Sequence, residues 1–476
     1  MIMFTGAGIH QLYLERKYPT PHEWSFGSRW MLRSAMAKEF EPLSQMDGFI
    51  VDWARVGSCY KVLLERLESF DTDGKYLLEQ GEGGILVEGV GRTGFDVSMK
   101  PESWRSGYYQ ALMGSAKTAE NLDGYVVDRT RKKVFPREMM IGPSNPRPKP
   151  RPHGWRHPPK EEDCEDAYDS PQVFYMRILT TEGFNTRQRL HAALSYADWL
   201  DFKGLGETAE SMYDWALDIA AGALPVGSNK MVDMKTGVIN PNPGTRASEN
   251  LLKASTALGV HHASHGNVQA ALPIFLSVLK ARKDLPPEIL SHSQAKTLSK
   301  PEDGSVLRAY LEAIKDWLVE APYPAGPPSG DEPPFHTLKE ACEEVGLMTY
   351  IGEILYAKSS KEKGLSWTRD AVDAAEAVMW MMKEEGKEEG RERCQECLET
   401  GLSNWKKMAR SMAKLAERRE REKGEKMGGW LNFGQQQASD ETRRWEEEQT
   451  QIELRIQKTM PLLKPLDSLR SSWSSA

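Results

Sequence analysis

Apolar and small residues recur along this chain at the spacing expected of paired α-helices. The clearest stretch places Leu258 and Gly259 before Ala271 and Phe275, which follow the glycine by twelve and sixteen residues. The small residues Gly259 and Ala271 let two antiparallel helices approach closely. The aromatic side chain of Phe275 fills the space towards the next pair. Because one helical pair cannot bury its apolar face alone, the pattern predicts stacked neighbours.

Two further stretches repeat this spacing. Upstream, Ala197 stands in the place of the glycine, and Ala209 and Tyr213 follow it at the same two offsets. A weaker downstream copy predicts a third pair. Its first helix contains Ile351, Gly352 and Leu355, and its second contains Ala371, Ala375 and Val378. A turn longer than usual, near residues 359–366, would join them. The fold class predicted is all-α: a degenerate tetratricopeptide-like (TPR-like) α-solenoid of helical hairpins with long loop insertions.

Composition along the chain predicts four regions. Residues 1–135 form a helical region with a small β-hairpin insertion around the glycine-rich passage. Residues 136–169 form a proline-rich linker, basic and then acidic, which we expect to be extended and solvated. Residues 170–383 hold the repeats, and residues 384–476 hold charged helices and a serine-rich tail.

Charge and cysteine usage exclude several classes of protein. The net charge of −7 and the pI of about 5.9 argue against a chain that binds polyanions by overall charge. Five cysteines without a paired pattern predict no disulfide framework. No run of eighteen apolar residues is present, so no segment of the sequence is expected to span a bilayer.

One glycine-rich segment matches a nucleotide-binding motif letter for letter. Gly89, Gly91 and Gly94 have the spacing of the dinucleotide fingerprint, which holds a pyrophosphate only if a helix begins directly after it. The residues that follow are typical of a strand, so a hairpin turn accounts better for the glycines and no cofactor is expected. A nucleotide-dependent enzyme stays open as an alternative function.

Two other patterns have residues that metal or redox sites use. His261 and His265 lie four residues apart and could share a metal from one helix face, although no third ligand is evident nearby. His262 occupies the buried aromatic position of the repeat. Cys394 and Cys397 form a lone Cys-x-x-Cys, for which two thiols on a helix surface are the favoured interpretation. We therefore predict no metal and no catalytic residue.

The basic passage from Arg129 to Arg156 supports a third class, an RNA-associated repeat protein. It contains Trp155 but too few aromatic residues for a base-stacking platform. A solvated linker is the favoured interpretation, and no nucleic-acid partner is expected.

The first helical pair carries a resemblance to a known family. The runs Ala-Leu-Ser-Tyr-Ala-Asp-Trp-Leu-Asp-Phe-Lys-Gly (193–204) and Met-Tyr-Asp-Trp-Ala-Leu-Asp-Ile-Ala (212–220) resemble fungal mitochondrial tetratricopeptide proteins. These are similar to the adaptor subunit of the inner-membrane i-AAA protease supercomplex. The resemblance implies a mitochondrial location at the inner membrane, with a cytoplasmic location as the alternative. In that family a transit segment and one transmembrane helix precede the repeats, so we expect membrane attachment only if such an anchor lies upstream of Met1.

These observations favour a non-enzymatic scaffold that binds protein segments on a concave surface. By resemblance, its partners would be an inner-membrane AAA protease and unfolded substrates of that protease. The repeat spacing predicts that the groove is lined by His191, Leu194, Asp198, Asp201 and Phe202, by Lys253, Thr256, Val260, Ala263 and Ser264, and by Thr349, Glu353 and Tyr356. An acidic and aromatic groove suits a basic or apolar unfolded segment.

Overall fold

The structure, a computed structural model, describes residues 13–40, 51–79, 94–150, 157–224, 231–240, 246–287, 323–386, 388–426 and 440–463. Packing divides the chain into two compact units, Met1–Ile219 with His292–Ser329 and Ala220–Ser291 with Gly330–Ala476. None of the boundaries predicted from composition coincides with a limit of these units.

The first unit consists mainly of three successive helical pairs. Its main described helices are α1 (Phe26–Phe40), α2 (Trp53–Glu68), α3 (Glu102–Leu122), α4 (Pro171–Thr180), α5 (Thr186–Phe202) and α6 (Gly206–Gly222). Helix α6 crosses the division between the units at its C-terminal end. Helix α2 packs on α1 and α3, and α4 packs on α3 and α5. Helices α1, α3 and α5 are therefore the first helices of their pairs.

Two small antiparallel sheets interrupt these helices. Strand β1 (Leu78–Glu79) pairs with β2 (Phe95–Asp96). Strand β3 (Tyr125–Asp128) pairs with β4 (Lys133–Pro136) on one side and with β5 (Cys164–Asp166) on the other. The hairpin was predicted to pair the apolar runs 85–90 and 95–99, and the described partner of Phe95 is Glu79. The apolar run 85–90 and the turn at residue 91 lie outside the described residues.

The passage predicted as an extended, solvated linker is folded over part of its length, and the prediction is wrong for that part. Strand β5 lies within it, and Ile141 forms a bridge with Lys160. Met140 is buried with Val126 and Phe135 in a small separate core. The proline content concealed these contacts, which depend on a strand pairing between residues almost forty positions apart.

The second unit also consists of helical pairs. Its described helices are α7 (Glu249–Ser264), α8 (Val268–Lys283), α9 (Leu338–Lys358), α10 (Lys361–Glu385), α11 (Arg391–Lys426) and α12 (Asp440–Thr459). The N-cap side chains of α7 to α10 each accept a hydrogen bond from the backbone N–H group three residues further along the chain; these are Ser248, Asn267, Thr337 and Ser360. Such caps satisfy donors that a helix leaves free at its start.

Both units are thus stacks of helical pairs, and the predicted all-α, helical-hairpin fold is confirmed. The two strongest sequence repeats form α5–α6 and α7–α8. The residues predicted to hold these pairs together are all buried: Ala197, Ala209, Tyr213, Leu258, Gly259, Ala271 and Phe275. No described helix is both long enough and apolar enough to cross a membrane.

The contact between α7 and α8 explains the spacing in physical terms. A Cβ atom on Gly259 would lie 2.7 Å from Cε1 of Phe275, so only glycine permits this approach. The ring of Phe275 stacks on Tyr350 of α9, with 5.3 Å between the ring centroids. The aromatic residue of one pair therefore packs against the first helix of the next.

The third pair is present, but its predicted register is wrong. Only Ser359 and Ser360 separate α9 from α10, so the long turn does not exist. The positions twelve and sixteen residues after Gly352 are Gly364 and Thr368, and both are buried. A Cβ atom on Gly364 would lie 2.3 Å from the backbone nitrogen of Tyr356, so this glycine serves as the small residue. Glycine was missed because alanine was expected there.

A covalent bond not predicted from the sequence joins two first helices of this unit. Cys342 of α9 and Cys394 of α11 form a disulfide, and Cys397 is a buried free thiol. The interpretation of Cys394 and Cys397 as surface thiols is therefore wrong. The pairing was not evident because the bonded cysteines are separated by 52 residues and each lies on a different helix.

Replacing Ala271 with tryptophan should overpack the contact between α7 and α8. Ala271 has no exposed surface, so the larger side chain must displace its neighbours, and we expect a loss of about 1–3 kcal/mol in the free energy of unfolding. Urea denaturation measures this loss. Gln269→Trp is the control because Gln269 is exposed on the same helix. Equal midpoints for both variants would contradict the contact.

Candidate functional site

A groove of about 750 Å³ crosses the first helices of the first unit. Helix α3 forms its centre with one continuous stripe of residues: Gln110, Met113, Gly114, Lys117, Glu120 and Asn121. Helix α5 forms one wall with His191, Ser195, Asp198, Trp199 and Phe202, and α1 contributes Met36, Glu39 and Phe40. These spacings of three and four residues place each set on a single helix face.

Two buried tyrosines from the second helices form part of the lining. Tyr60 of α2 lies beneath Gly114, where a Cβ atom would be 2.2 Å from the tyrosine Cζ. Tyr175 of α4 lies beside Glu120 and donates a hydrogen bond of 2.7 Å to its Oε1. Burial raises the pKa of both phenols, so the groove carries them as neutral hydroxyl groups.

The charged groups of the groove are mainly carboxylates. Glu39, Glu120 and Asp198 line it, together with Lys117, whose Nζ lies 2.6 Å from Glu39 Oε1. Burial raises the pKa of Glu120, and the negative charge of Asp198 raises it further, whereas the hydrogen bond from Tyr175 and the charge of Lys117 lower it. The described lining therefore carries more negative than positive charge.

Aromatic side chains form an apolar wall beside these carboxylates. The ring of Tyr196 stacks between Tyr175 and Trp199, with centroid distances of 5.3 Å and 6.0 Å. Phe202 is 85% exposed and Phe40 is 59% exposed, both at the groove. Exposed aromatic groups of this kind bury a large area when a partner covers them.

Helix α5 holds five of the residues predicted to line a groove, and the structure separates them into two groups. His191, Asp198 and Phe202 do line the groove. Leu194 is buried in the core at 6% exposure, so its placement in the groove is corrected. Asp201 is half-buried and accepts a hydrogen bond of 3.2 Å from the hydroxyl group of Tyr213 on α6. The same hydroxyl group lies 2.6 Å from Asp198, which also accepts from it.

The remaining predicted groove residues belong to the second unit. Lys253 and Val260 are exposed on α7, where Thr256 is half-buried and donates its hydroxyl hydrogen to the carbonyl oxygen of Leu252 at 2.7 Å. On the same helix Ala263 is half-buried and Ser264 is exposed. Glu353 of α9 accepts a hydrogen bond from Asn404 of α11, and burial raises its pKa.

Two predicted positions on α9 and α7 need correction. Thr349 is buried and donates its hydroxyl hydrogen to the carbonyl oxygen of Val345 at 3.0 Å, so it does not line a surface. His261, rather than His262, is the buried histidine of the repeat. The rings of His261 and His265 lie 4.4 Å apart on one face of α7.

Most of the groove was missed because α1 and α3 lack the repeat spacing. Tyr108, Ala111 and Leu112 form one stripe of α3, and all three are fully buried. The groove residues of α3 form the stripe adjacent to that buried one. This adjacency is the signal that could have identified Met113, Lys117 and Glu120 from the sequence.

The structural surroundings of the glycine-rich segment differ from those of a nucleotide site. Residues 89–93 lie outside the described part of the chain, but Gly94 is followed by β2, and the next described helix begins at Glu102. The Gly94 N–H group donates a hydrogen bond of 2.9 Å to Thr180 Oγ1. No helix N-terminus therefore begins at Gly94, where the fingerprint requires one.

The basic passage that suggested RNA binding is paired with acidic groups in the described sheet. Arg137 forms an ion pair with Asp166, and Arg131 Nε lies 3.3 Å from Asp128 Oδ2. The strand pairing of β5 with β3 brings the acidic run beside the basic one. Such pairing weakens the positive field on which phosphate binding depends.

Comparisons with known proteins give no family assignment. No family model matches the sequence, and no curated protein matches it. Among solved structures, a de novo designed helical repeat protein matches with 16% identity and a TM-score of 0.22, over 58% of this chain and 98% of the designed chain. A TM-score this low does not bear on fold or function.

Proposed function

We propose that this chain is a non-enzymatic helical-repeat scaffold that binds a protein segment in the groove of the first unit. The observation that supports the proposal is the joint lining of one groove by α1, α3 and α5. Helical repeats commonly present such concave surfaces to extended partners. A volume of about 750 Å³ is large enough for several side chains of a bound segment.

The chemistry of the lining favours a basic and partly apolar segment. Glu39, Glu120 and Asp198 favour cations, while Trp199 and Phe202 offer apolar area. The carboxylates would repel an acidic segment, so the groove would select its partner by charge as well as by shape.

The resemblance of residues 193–220 to mitochondrial tetratricopeptide proteins extends the proposal to a biological role. We propose that the scaffold recruits substrates for, or assembles, an inner-membrane AAA protease in mitochondria. The buried Cys342–Cys394 disulfide favours a compartment that keeps cysteines oxidised, which counts against the cytoplasmic alternative.

Reversing the charge of Asp198 should weaken binding of a basic segment. The probe is a fluorescent fifteen-residue amphipathic peptide with lysines on one face and leucine and phenylalanine on the other. Asp198→Lys should raise its Kd roughly tenfold at low salt, because a cation then meets a cation, and the difference should shrink once salt screens charges beyond about 10 Å. Fluorescence anisotropy measures both effects.

The matched control for this experiment is Glu210→Lys, which reverses an exposed charge on α6. It should bind the peptide as the unaltered protein does. Melting temperatures of both variants test folding, since Asp198 also accepts a hydrogen bond from Tyr213. The comparison peptide is acidic and equally hydrophobic. If the unaltered protein does not bind the basic peptide more tightly than this acidic one, the proposed function is overturned.

A further inference from the structure

Glu120 occupies the place in the groove where three helices meet. It belongs to α3, its hydrogen-bond donor Tyr175 belongs to α4, and the carboxylate of Asp198 on α5 is close enough to affect its ionisation. The side chain is half-buried but still lines the groove. A ligand in the groove can therefore reach a carboxylate that has already lost part of its water.

The acceptor capacity of Glu120 exceeds what Tyr175 uses. An ionised carboxylate has about four lone-pair sites, and the tyrosine hydroxyl group supplies one hydrogen. The nearest groove cation on the same helix, Lys117, lies against Glu39 at 2.6 Å. A cationic side chain from a partner would thus complete the coordination of Glu120 and offset its repulsion with Asp198.

The surroundings of Glu120 also suit the stem of a long cationic side chain. Trp199 and the highly exposed Phe202 line the groove on α5, the helix that carries Asp198. Lysine and arginine bury their methylene groups along apolar surface while the charged end reaches a polar partner.

We infer that Glu120 is the residue of the groove that binds a lysine or arginine side chain of the partner segment. The inference rests on the proposed function and specifies its partner chemistry. Met36, Phe40 and Met113 line the part of the groove contributed by α1 and the middle of α3. The partner is therefore an amphipathic segment whose cation lies at Glu120 and whose apolar side chains cover the methionines and Phe40.

A double-mutant cycle tests the inference. The two proteins are the unaltered chain and Glu120→Gln, and the two probes are the amphipathic peptide and the same peptide with its lysines replaced one at a time by glutamine. One of the lysines should show coupling to Glu120. Replacing that lysine, or Glu120→Gln alone, should each raise the Kd roughly tenfold, because a charged hydrogen bond contributes about this much. The two changes together should raise the Kd little more than either change alone.

The outcomes separate the inference from the proposed function. Additive losses at every lysine, or an unchanged Kd for Glu120→Gln, would overturn the role of Glu120 while leaving groove binding intact. Absence of binding to the unaltered protein would overturn both. Asn121→Ala is the matched control, because Asn121 lies beside Glu120 at the groove but carries no charge.

The pH dependence of binding provides a second readout. Burial raises the pKa of Glu120 in the free protein, and a bound cation lowers it again. Affinity should therefore fall as the pH drops through the raised pKa, above the ordinary glutamate value of about 4.3, and level off at higher pH. The other charged or titratable groups that line the groove are Glu39, Tyr60, Lys117, Tyr175, His191 and Asp198.

Histidine is the side chain whose charge ordinarily changes between about pH 5 and pH 8. His191 lines the groove, so the profile is measured in a His191→Gln background. Glu120→Gln should flatten the acidic limb of the profile in that background. An equally steep profile with and without the carboxylate would contradict the assignment.

Discussion

Replacing Glu340 with alanine should lower the free energy of unfolding of the second unit by about 3–5 kcal/mol. Glu340 of α9 forms an ion pair with Arg282 of α8, and both side chains are only 7% exposed. Removing one partner leaves the other charge buried without compensation, which costs more than the pair itself contributes. Denaturation in guanidinium chloride, followed by far-ultraviolet circular dichroism, measures the loss.

Two controls separate this effect from a general loss of packing. Arg282→Met combined with Glu340→Met removes both charges and should recover most of the stability, because no uncompensated ion remains. Glu389→Ala removes the exposed pair with Lys339, and should cost less than about 1 kcal/mol. A loss for Glu340→Ala as small as that of Glu389→Ala would contradict the importance of the buried pair.

The double substitution of Cys342 and Cys394 by serine should destabilise the same unit by about 4 kcal/mol. The disulfide closes a chain segment of 52 residues, and in the chain-entropy account a loop of this length restricts the unfolded state by that amount. Thermal unfolding of the variant, and of the unaltered protein with a reducing agent, should show the same lowered melting temperature.

Cys59→Ser is the matched control, because Cys59 is a free thiol of the first unit. It should respond to the reducing agent as the unaltered protein does. Mass spectrometry of non-reduced peptides checks that Cys342 and Cys394 are joined. An unaltered protein whose melting temperature ignores the reducing agent would contradict a stabilising disulfide.

The helical pairs that follow a fixed spacing were predictable from the sequence. Gly259, Ala271 and Phe275 lie where two helices touch, and the same physical requirement selects Ala197, Ala209 and Tyr213 in the preceding pair. In these stretches local periodicity and tertiary contact agree. The prediction of α5–α6 and α7–α8 therefore needed no knowledge of distant residues.

The elements that were missed depend on contacts between distant residues. Strand β5 pairs with β3 from nearly forty residues away, and the bonded cysteines lie on separate helices. The register of the third pair was predicted wrongly because an alanine was expected at the close contact between its two helices. That position is occupied by Gly364. Periodicity within one segment does not contain this information.

The residues of the candidate site were likewise predictable only in part. The residues of α5 at the groove follow from the repeat frame, and three of them were predicted. The contribution of α1 and α3 depends on how three pairs stack, so Glu39, Lys117 and Glu120 were not. These residues determine much of the charge of the groove, on which the proposed choice of partner depends.

The claim that the groove is the binding surface is tested most directly by site-specific photo-cross-linking. A photoreactive amino acid is placed at Ser195, which lines the groove, or at Ser211, which is exposed on α6 and is not among the lining residues. We predict that the basic amphipathic peptide cross-links at position 195 and not at position 211, and that excess unlabelled peptide suppresses the product. Equal cross-linking at both positions, or cross-linking at position 211 alone, would contradict the account.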